Sequence, residues 1–521
     1  MNSVSYAITG GDFVHVGLGA NNLKERLKKL GVPPDSLRRV VIAAYEAEAN
    51  VVVHARKGTL CATLGPTGID VEVTDEGPGI PDIELAMKEG FSTASATAAA
   101  LGFGAGMGLT NIKKNSGSFM IESEVGRGTR VRFSVHLSPQ KLFGPPRNSL
   151  CVVRELCRKC MRCLHACPTR ALRIRQGGPE VLEHLCIDCG ACIDACEAGA
   201  LGVPDDAGVP TPSERTCLLV PASLLVDFGP SVGAQHVMAA LAALGFHRLR
   251  VTEEWGAALR LAALAYAREE ARTRPVFSPE CPAVVNLVET RFPSLLPHVA
   301  PFLSPLEAAC EDLAGQHVVA GISCPAQHTV LRTGRSMATL LNASRLRHAV
   351  SPMVAREMNA AVASPWQPVN EDRGNQGVFR VSGLRHVINI LEQAENGLLA
   401  DFVLVELMAC EQGCFGTPVS GEEPFLAWHR WQCVRRDFAG PARAFRRKDP
   451  FVARSGMRLD DDMSRAIRKL HQIDVFTASL PGRDCGMCGA PTCREMAEDV
   501  VLERARRQEC PRRTEPPEED R

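Results

Sequence analysis

The stretch that most constrains this chain is a duplicated cysteine run. It reads Cys157-Arg-Lys-Cys160-Met-Arg-Cys163-Leu-His-Ala-Cys167-Pro168, then Cys186-Ile-Asp-Cys189-Gly-Ala-Cys192-Ile-Asp-Ala-Cys196. Both copies are C-x2-C-x2-C-x3-C, about 30 residues apart. A tight run of three cysteines can wrap one face of an iron–sulfur cube, and the fourth thiolate must then come from elsewhere. C-x2-C is also zinc-knuckle spacing; the duplication and the trailing Pro168 favour the cube. The opening MNSVSYAITGGDF lacks the basic-then-apolar layout of a signal peptide, so a cytoplasmic protein is expected. In that reducing compartment, 21 cysteines argue for metal ligation rather than disulfides.

The two runs resemble the bacterial two-cluster ferredoxin over about 50 residues. In that pattern each run lends its last cysteine to the other cluster. The resemblance assigns Cys157, Cys160, Cys163 and Cys196 to one [4Fe-4S] cube, and Cys186, Cys189, Cys192 and Cys167 to a second.

At 521 residues the chain exceeds what one core supports, so several domains are expected. The net charge of zero supplies no electrostatic argument for nucleic acid or an anionic membrane. No uncharged apolar run is long enough for a membrane span; the best, around Met238 to Leu264, is broken by Arg248, Arg250, Glu253, Glu254 and Arg260.

Residues 1–138 precede the ferredoxin. Leu37 to Ala55 reads as a mostly apolar helix with Glu46, Asn50 and His54 at i, i+4 and i+8 on one face. Thr59–Leu64 and Ile69–Thr74 read as strands, the second running into Asp75-Glu-Gly77-Pro-Gly79. A small-residue span ends in Gly104-Ala-Gly106-Met-Gly108, a helix continues through Asn111–Lys114, and Gly126-Arg-Gly128-Thr129 turns between two alternating strands. The order resembles the GHKL ATPase fold, in the branch of the anti-sigma-factor serine kinases. This resemblance implies Glu46 as general base, Asn50 on Mg2+, Asp75 on the adenine amino group, Gly77, Gly79 and Thr129 around the nucleotide, and Gly104, Gly106 and Gly108 at the phosphates. Glu48 is the next candidate base, but it points off the Asn50 face. No phospho-acceptor histidine helix precedes Glu46, which disfavours a histidine kinase.

Residues 139–150, with Gly144-Pro145-Pro146, read as a stiff linker, 151–203 as the ferredoxin unit, and Asp205–Pro212 as a second loop. In 213–450, apolar strands such as Leu218–Ala222 alternate with helices such as Val237–Leu244, predicting α/β layers. Three stretches there carry cysteines: Ser278-Pro-Glu280-Cys281-Pro282, Ser323-Cys324-Pro-Ala-Gln327, and Met408-Ala-Cys410-Glu-Gln-Gly413-Cys414-Phe-Gly416. Together they resemble the [FeFe]-hydrogenase large-subunit catalytic domain over about 220 residues. The resemblance implies a cube on Cys281, Cys324, Cys410 and Cys414, the last bridging to a two-iron unit. Three features depart from the family. Glu280 stands where the family has a proton-carrying cysteine, Gln327 where it has a lysine, and Thr417-Pro418 where it has a glycine run. The cube's ligands are present; the groups that surround the two-iron unit are not.

In 456–515, Cys485, Cys488, Cys493 and Cys510 form C-x2-C-x4-C-x16-C, resembling a small four-cysteine [4Fe-4S] domain, with a zinc site as the alternative. Residues 516–521 are a charged tail. Four cubes leave Cys61, Cys151, Cys217, Cys310 and Cys433, expected to be packing residues.

The expected architecture is multidomain α+β and α/β: a GHKL α/β sandwich, a two-cluster ferredoxin fold, a hydrogenase-like α/β domain and a small helical Fe-S domain. The expected function is a redox-responsive regulatory serine kinase using ATP, Mg2+ and four [4Fe-4S] clusters. Its partners would be an antagonist-like phosphorylatable protein, a phosphatase and a redox donor, with a homodimer through the ATP domain as one assembly. The rivals are an iron–sulfur oxidoreductase with ATP-gated electron transfer and a divergent [FeFe]-hydrogenase.

Overall fold

The computed structural model describes residues 2–94, 98, 103–137, 148–206, 208–357, 378–434, 445–454 and 456–512. Most of the 139–150 linker, the 516–521 tail and part of the small-residue span before Gly104 lie outside these residues.

The N-terminal domain is a five-stranded antiparallel sheet in the order β1-β2-β3-β5-β4. The strands are β1 (Asn2–Thr9), β2 (Lys57–Leu64), β3 (Gly68–Asp75), β4 (Ser118–Glu124) and β5 (Gly128–His136). Alternation sends Leu60, Ala62, Val71, Val73, Val131 and Phe133 into the core. Helices α1 (Leu18–Lys29) and α2 (Pro34–His54) cover that side, together with helix Gly108–Asn115. Pro34 in the first turn suits a helix start, because its missing N–H is one the turn cannot use. Sequence reasoning assigned no element to β1 or α1. Lys24, Lys28 and Lys29 make α1 look like a solvated helix, yet all three are buried by other domains.

The ferredoxin unit is two short ribbons, β6 (Cys151–Val152) with β9 (Leu201–Gly202) and β7 (Leu172–Arg175) with β8 (Gly178–Val181). Helical turns Arg162–Ala166 and Ala191–Asp194 lie between them.

The next domain holds two parallel sheets. One is ordered β11-β10-β13-β14 and the other β12-β16-β15. The first contains β10 (Thr216–Val220), β11 (Arg248–Val251), β13 (His317–Ile322) and β14 (Thr339–Asn342); the second contains β12 (Val276–Phe277), β15 (Val378–Ser382) and β16 (Leu404–Met408). Cys281, Cys324 and Cys410 each follow the carboxyl end of a strand, β12, β13 and β16 respectively. That end is where parallel sheets place their ligands, because the connecting loops converge there.

The C-terminal helices Met463–Ala478 and Cys493–Val501 do not form a separate core. Ala466, Leu470, Ile473 and Met496 share one hydrophobic cluster with Leu23, Leu27 and Leu30 of the ATP domain. Ion pairs reinforce the junction: Arg26 Nη1 lies 2.6 Å from Asp474, and Lys29 pairs with Glu498. The neighbouring Asp499, fully buried, accepts from Arg173 and, at 2.7 Å, from Arg175 of the ferredoxin. The other end of the α1 lysine row meets Glu395 of the hydrogenase-like domain. The C-terminal unit therefore ties the ATP domain to the ferredoxin, with α1 as the shared element.

The five leftover cysteines are not uniformly packing residues. Cys217 is buried, whereas Cys151 is exposed on the two-residue β6–β9 ribbon, which is too short to cover it. Among the described residues no helix is long and apolar enough to cross a membrane.

Candidate functional site

Two kinds of site are built into this frame. The first lies between α2 and helix Gly108–Asn115. The apolar face of α2 (Leu37, Val40, Ala44, Ala47, Val51) is buried, which turns Glu46 and Asn50 toward the Gly108 helix. A Cβ added at Gly108 would stand 3.0 Å from Asn50 Oδ1 and 3.4 Å from Glu46 Oε2. A side chain there would crowd Asn50 and Glu46, and glycine relieves the approach of the helix start to them. Asn111, one turn along that helix, donates from Nδ2 to Glu46 Oε1 at 2.7 Å. Sequence reasoning missed this role for Asn111; its i+3 spacing from Gly108 was the available signal.

Asp75 ends β3, half-buried, with its Oδ1 accepting the Gly77 N–H at 2.8 Å and the Thr129 N–H at 3.2 Å. Burial pushes its carboxyl above the usual range, and the two N–H bonds oppose the shift. Among the described residues its hydrogen bonds all use Oδ1, which leaves Oδ2 for a ligand. Thr129 Oγ1 is 2.9 Å from Ser123 Oγ, whose oxygen also receives the Ile80 N–H just past Gly79. Gly104 and Gly106 have positive φ, and His54 is exposed at the end of α2 within electrostatic reach of Asp75. Glu48 is elsewhere: it is buried and accepts the Gly19 and Ala20 N–H groups at 3.1 and 2.8 Å, capping the start of α1. Glu46 and Asn50 thus meet a backbone helix start at Gly108, the kind of helix end that can receive a phosphate, and Asp75 keeps one carboxylate oxygen unbonded among the described residues.

The second kind of site is the set of cysteines. Burial raises the Cys163 thiol to about 11, with added repulsion from Cys196, Cys157 and Cys160. Cys189 is raised to about 12, by burial and then by Cys167; Cys192 feels Cys189 and Cys167, then Cys163 of the first group. Cys196 thus lies near the Cys157 run and Cys167 near the Cys186 run, while Cys163 and Cys192 are within reach of each other. Cys324 is also raised to about 12, by burial and Cys281. Cys410 faces Cys324, Cys281 and Cys414, and beyond them Cys189 of the ferredoxin. Cys488 faces Cys510 and Cys485, while Cys493 begins the helix beside them with its N–H on Asp484 at 2.7 Å. Thiols raised this far stay protonated at neutral pH unless metal holds them as thiolates. Among the described residues no three metal-binding side chains converge on one ion. A cube takes one iron per thiolate, so its cysteines need not converge in that way.

The ferredoxin and hydrogenase-like groups are fixed to each other. Asp188, buried between Cys186 and Cys189, accepts from Thr329 Oγ1 at 2.5 Å, and Asn286 donates to the Ile187 carbonyl at 3.1 Å. Pro418 packs at Gly190.

A two-iron unit does not fit beside Cys414. The 380 Å3 cavity there is walled by Glu253, Glu280, Glu406, Arg260 and Arg380. Both guanidiniums are committed to carboxylates: Arg260 pairs with Glu253 and, at 3.2 Å, with Glu280, and Arg380 pairs with Glu406 at 2.5 Å. Gln327 turns its Oε1 back onto the Ser323 N–H at 2.7 Å. Among the described residues no ammonium lines the cavity; burial raises Glu280 to about 7, and the other charges pair off as Arg260–Glu253 and Arg380–Glu406, so no cation is left over for an iron–cyanide group.

Comparison with known proteins matches separate stretches of the chain to different families. Residues 35–139 match the family model of the histidine kinase-, DNA gyrase B-, and HSP90-like ATPases, and 156–201 match the 4Fe-4S dicluster domain. Residues 219–314 and 311–418 match the iron only hydrogenase large subunit, C-terminal domain, and 480–512 match an Fe-S cluster model. The serine/threonine-protein kinase RsbT of Bacillus subtilis is 34% identical over 119 residues, 22% of this chain and 80% of that protein. An anti-sigma F factor of a Thermoanaerobacter species is 31% identical over 112 residues, 20% of this chain and 75% of that protein. Among solved structures, an [FeFe]-hydrogenase from Chlamydomonas reinhardtii aligns with 15% identity and a TM-score of 0.31, over 50% of this chain and 91% of that one.

Proposed function

Because the chain belongs to the family of RsbT-type serine/threonine kinases and anti-sigma F factors, we propose that it is a protein serine kinase whose output follows the charge state of [4Fe-4S] clusters. The observation that carries this reading is the meeting of Glu46 and Asn50 with the start of helix Gly108–Asn115. Bound ATP with Mg2+ would supply the phosphoryl group. Asn50 would hold the Mg2+, Gly104, Gly106 and Gly108 would lie along the phosphates, and Asp75, with Gly77, Gly79 and Thr129, would read the adenine. Glu46, steadied by Asn111, would take the proton of the attacking seryl hydroxyl.

The sixteen cysteines Cys157, Cys160, Cys163, Cys196, Cys167, Cys186, Cys189, Cys192, Cys281, Cys324, Cys410, Cys414, Cys485, Cys488, Cys493 and Cys510 would hold four cubes. When bound, these store single electrons. What the chain itself contributes is the connection. Glu48 holds the start of α1 from the helix that carries Glu46 and Asn50, while Glu395 and Glu498 of the redox half hold its end. One added charge at ~10 Å and an effective dielectric of ~20 shifts a neighbouring interaction by roughly 1–2 kcal/mol. That is enough to move such a contact about tenfold. The substrate would be an antagonist-type protein restored by a phosphatase, and electrons would come from a donor protein. α1 is covered in part by this chain's own helices, so a homodimer through the ATP domain would use another of its faces, such as the exposed outer sheet face around Ser3, Ser5 and Met120.

The test is phosphotransfer to such an antagonist by anaerobic protein, reduced with dithionite or oxidised. Rates should differ several-fold, and Cys160→Ser should shrink the difference. Equal rates refute redox control. A second reading, ATP-gated electron transfer, is favoured by the unbroken series of neighbouring cysteines, Cys163 to Cys192 and Cys189 to Cys410. It predicts instead that ATP accelerates electron delivery to an acceptor.

A further inference from the structure

A cavity of 640 Å3 opens where all four domains meet. Its wall carries Arg26 and Lys29 from the ATP domain, Arg170 and Arg173 from the ferredoxin, Arg291 from the hydrogenase-like domain and Arg494 from the C-terminal unit. Only Glu25, Glu495 and Glu498 oppose these six cations on the wall itself. Each cation has a carboxylate partner: on the wall itself Glu495 takes Arg170 at 2.8 Å and Glu498 takes Lys29. Asp474 takes Arg26 at 2.6 Å and Arg494 at 3.0 Å, Glu392 takes Arg291 at 3.2 Å, and Asp499 takes Arg173. A guanidinium has five N–H donors in a planar fork, so one carboxylate leaves donors on Arg26, Arg170, Arg291 and Arg494, whereas the Arg173 fork is spent on Asp499 and the Arg170 and Leu172 carbonyls.

Two further groups point the same way. Thr290 and Arg291 line the cavity; Thr290 is 6% exposed, and among the described residues neither its hydroxyl nor the buried Nε of Arg291 has a hydrogen-bond partner. Nε can only donate, and a buried donor without an acceptor is costly. What such a wall selects is a ligand rich in acceptor oxygens. The volume holds about twenty water-sized groups, well beyond a single phosphate. Tyr6, Leu185 and Met457 add an apolar side suited to a base.

We infer that this four-domain junction is a second nucleotide site, taking a nucleoside di- or triphosphate through its phosphate chain. It shares no residue with the site of Glu46, Asn50 and Asp75. Its walls come from all four domains, so occupancy fixes their arrangement and gives the kinase a metabolite input separate from electrons.

Equilibrium dialysis of the full, anaerobically purified chain with labelled ADP tests this. A second ADP should bind per chain, and Arg170→Ala/Arg494→Ala should weaken it about tenfold or more while leaving the first. Asp75→Asn should have the opposite selectivity, so failure of the kinase site and failure of this site are read separately. Inorganic tripolyphosphate should displace the second ADP. Iron content and circular dichroism report whether the double variant folds, and Thr290→Val, which keeps shape and removes only the hydroxyl, gives an independent loss of affinity. A single ADP abolished by Asp75→Asn overturns the inference. So does a second ADP indifferent to the arginine and threonine variants, or one that tripolyphosphate leaves in place.

Discussion

Removing the carboxylate of Glu395 should loosen the ATP domain from the redox half without touching either site. Glu395 is 3% exposed and faces two buried ammonium groups. Lys28 donates to Oε2 at 3.1 Å, and Lys24 lies 3.3 Å from the same oxygen, outside hydrogen-bonding alignment. Ser294 donates to Oε1, and Lys28 also sits 4.4 Å above the Phe292 ring. Burial already holds Lys24 below the ordinary lysine range, with Glu395 as the main opposing influence. At these separations and an effective dielectric of ~20, each attraction is about 5 kcal/mol before desolvation is subtracted. Glu395→Ala strands Lys24 and leaves Lys28 only Glu25, at 3.6 Å, a change that costs about 3–5 kcal/mol when a buried partner is lost. If that loss falls on domain docking, α1 and helix Leu384–Glu395 should exchange amide hydrogens roughly 10²–10⁴-fold faster, while β13 and β16 keep their protection. Lys24→Met/Lys28→Met combined with Glu395→Leu should restore most of the protection, because an apolar replacement of a buried ion set is often neutral. Exchange in Glu395→Ala within about twofold of the parent would refute this account of α1.

The other predictions concern the sites and their frame. Glu46→Gln should lower phosphotransfer by ~10²–10⁴-fold with nucleotide binding nearly intact, the usual worth of a positioned base. Glu48→Ala should instead lower the ATP domain's stability by about 1–2 kcal/mol, read by denaturant unfolding, with little loss of turnover in the folded fraction. Anaerobic protein should contain about 16 iron atoms with matching labile sulfide. A zinc content near one per chain would reassign the C-terminal unit. His298, 2% exposed with Nδ1 on the Pro275 carbonyl at 2.8 Å, is held below the ordinary histidine range by burial. Its contribution should be full above about pH 6.5 and lost as pH falls toward its folded value, because only the unfolded chain then takes up the proton. His298→Asn should flatten that slope in thermal unfolding between pH 5.5 and 8.

The local chemistry of this protein was legible in its sequence. Cysteine spacing within a run follows from how a backbone wraps a cube, and Glu46 and Asn50 share a face because four residues make one helical turn. Glycine positions such as Gly108 follow from the same short-range geometry. Tertiary structure alone decided what the domains do to one another. Lys24, Lys28 and Lys29 look like the wet side of a helix, and nothing near them in sequence says that Glu395 and Glu498 arrive from hundreds of residues away. The merging of the C-terminal helices with the ATP-domain core, the use of Glu48 as a cap for α1, and the basic cavity between four domains arise in the same way. Each depends on surfaces that meet only when the chain is folded. Short-range periodicity carries no record of which charged faces will be desolvated together.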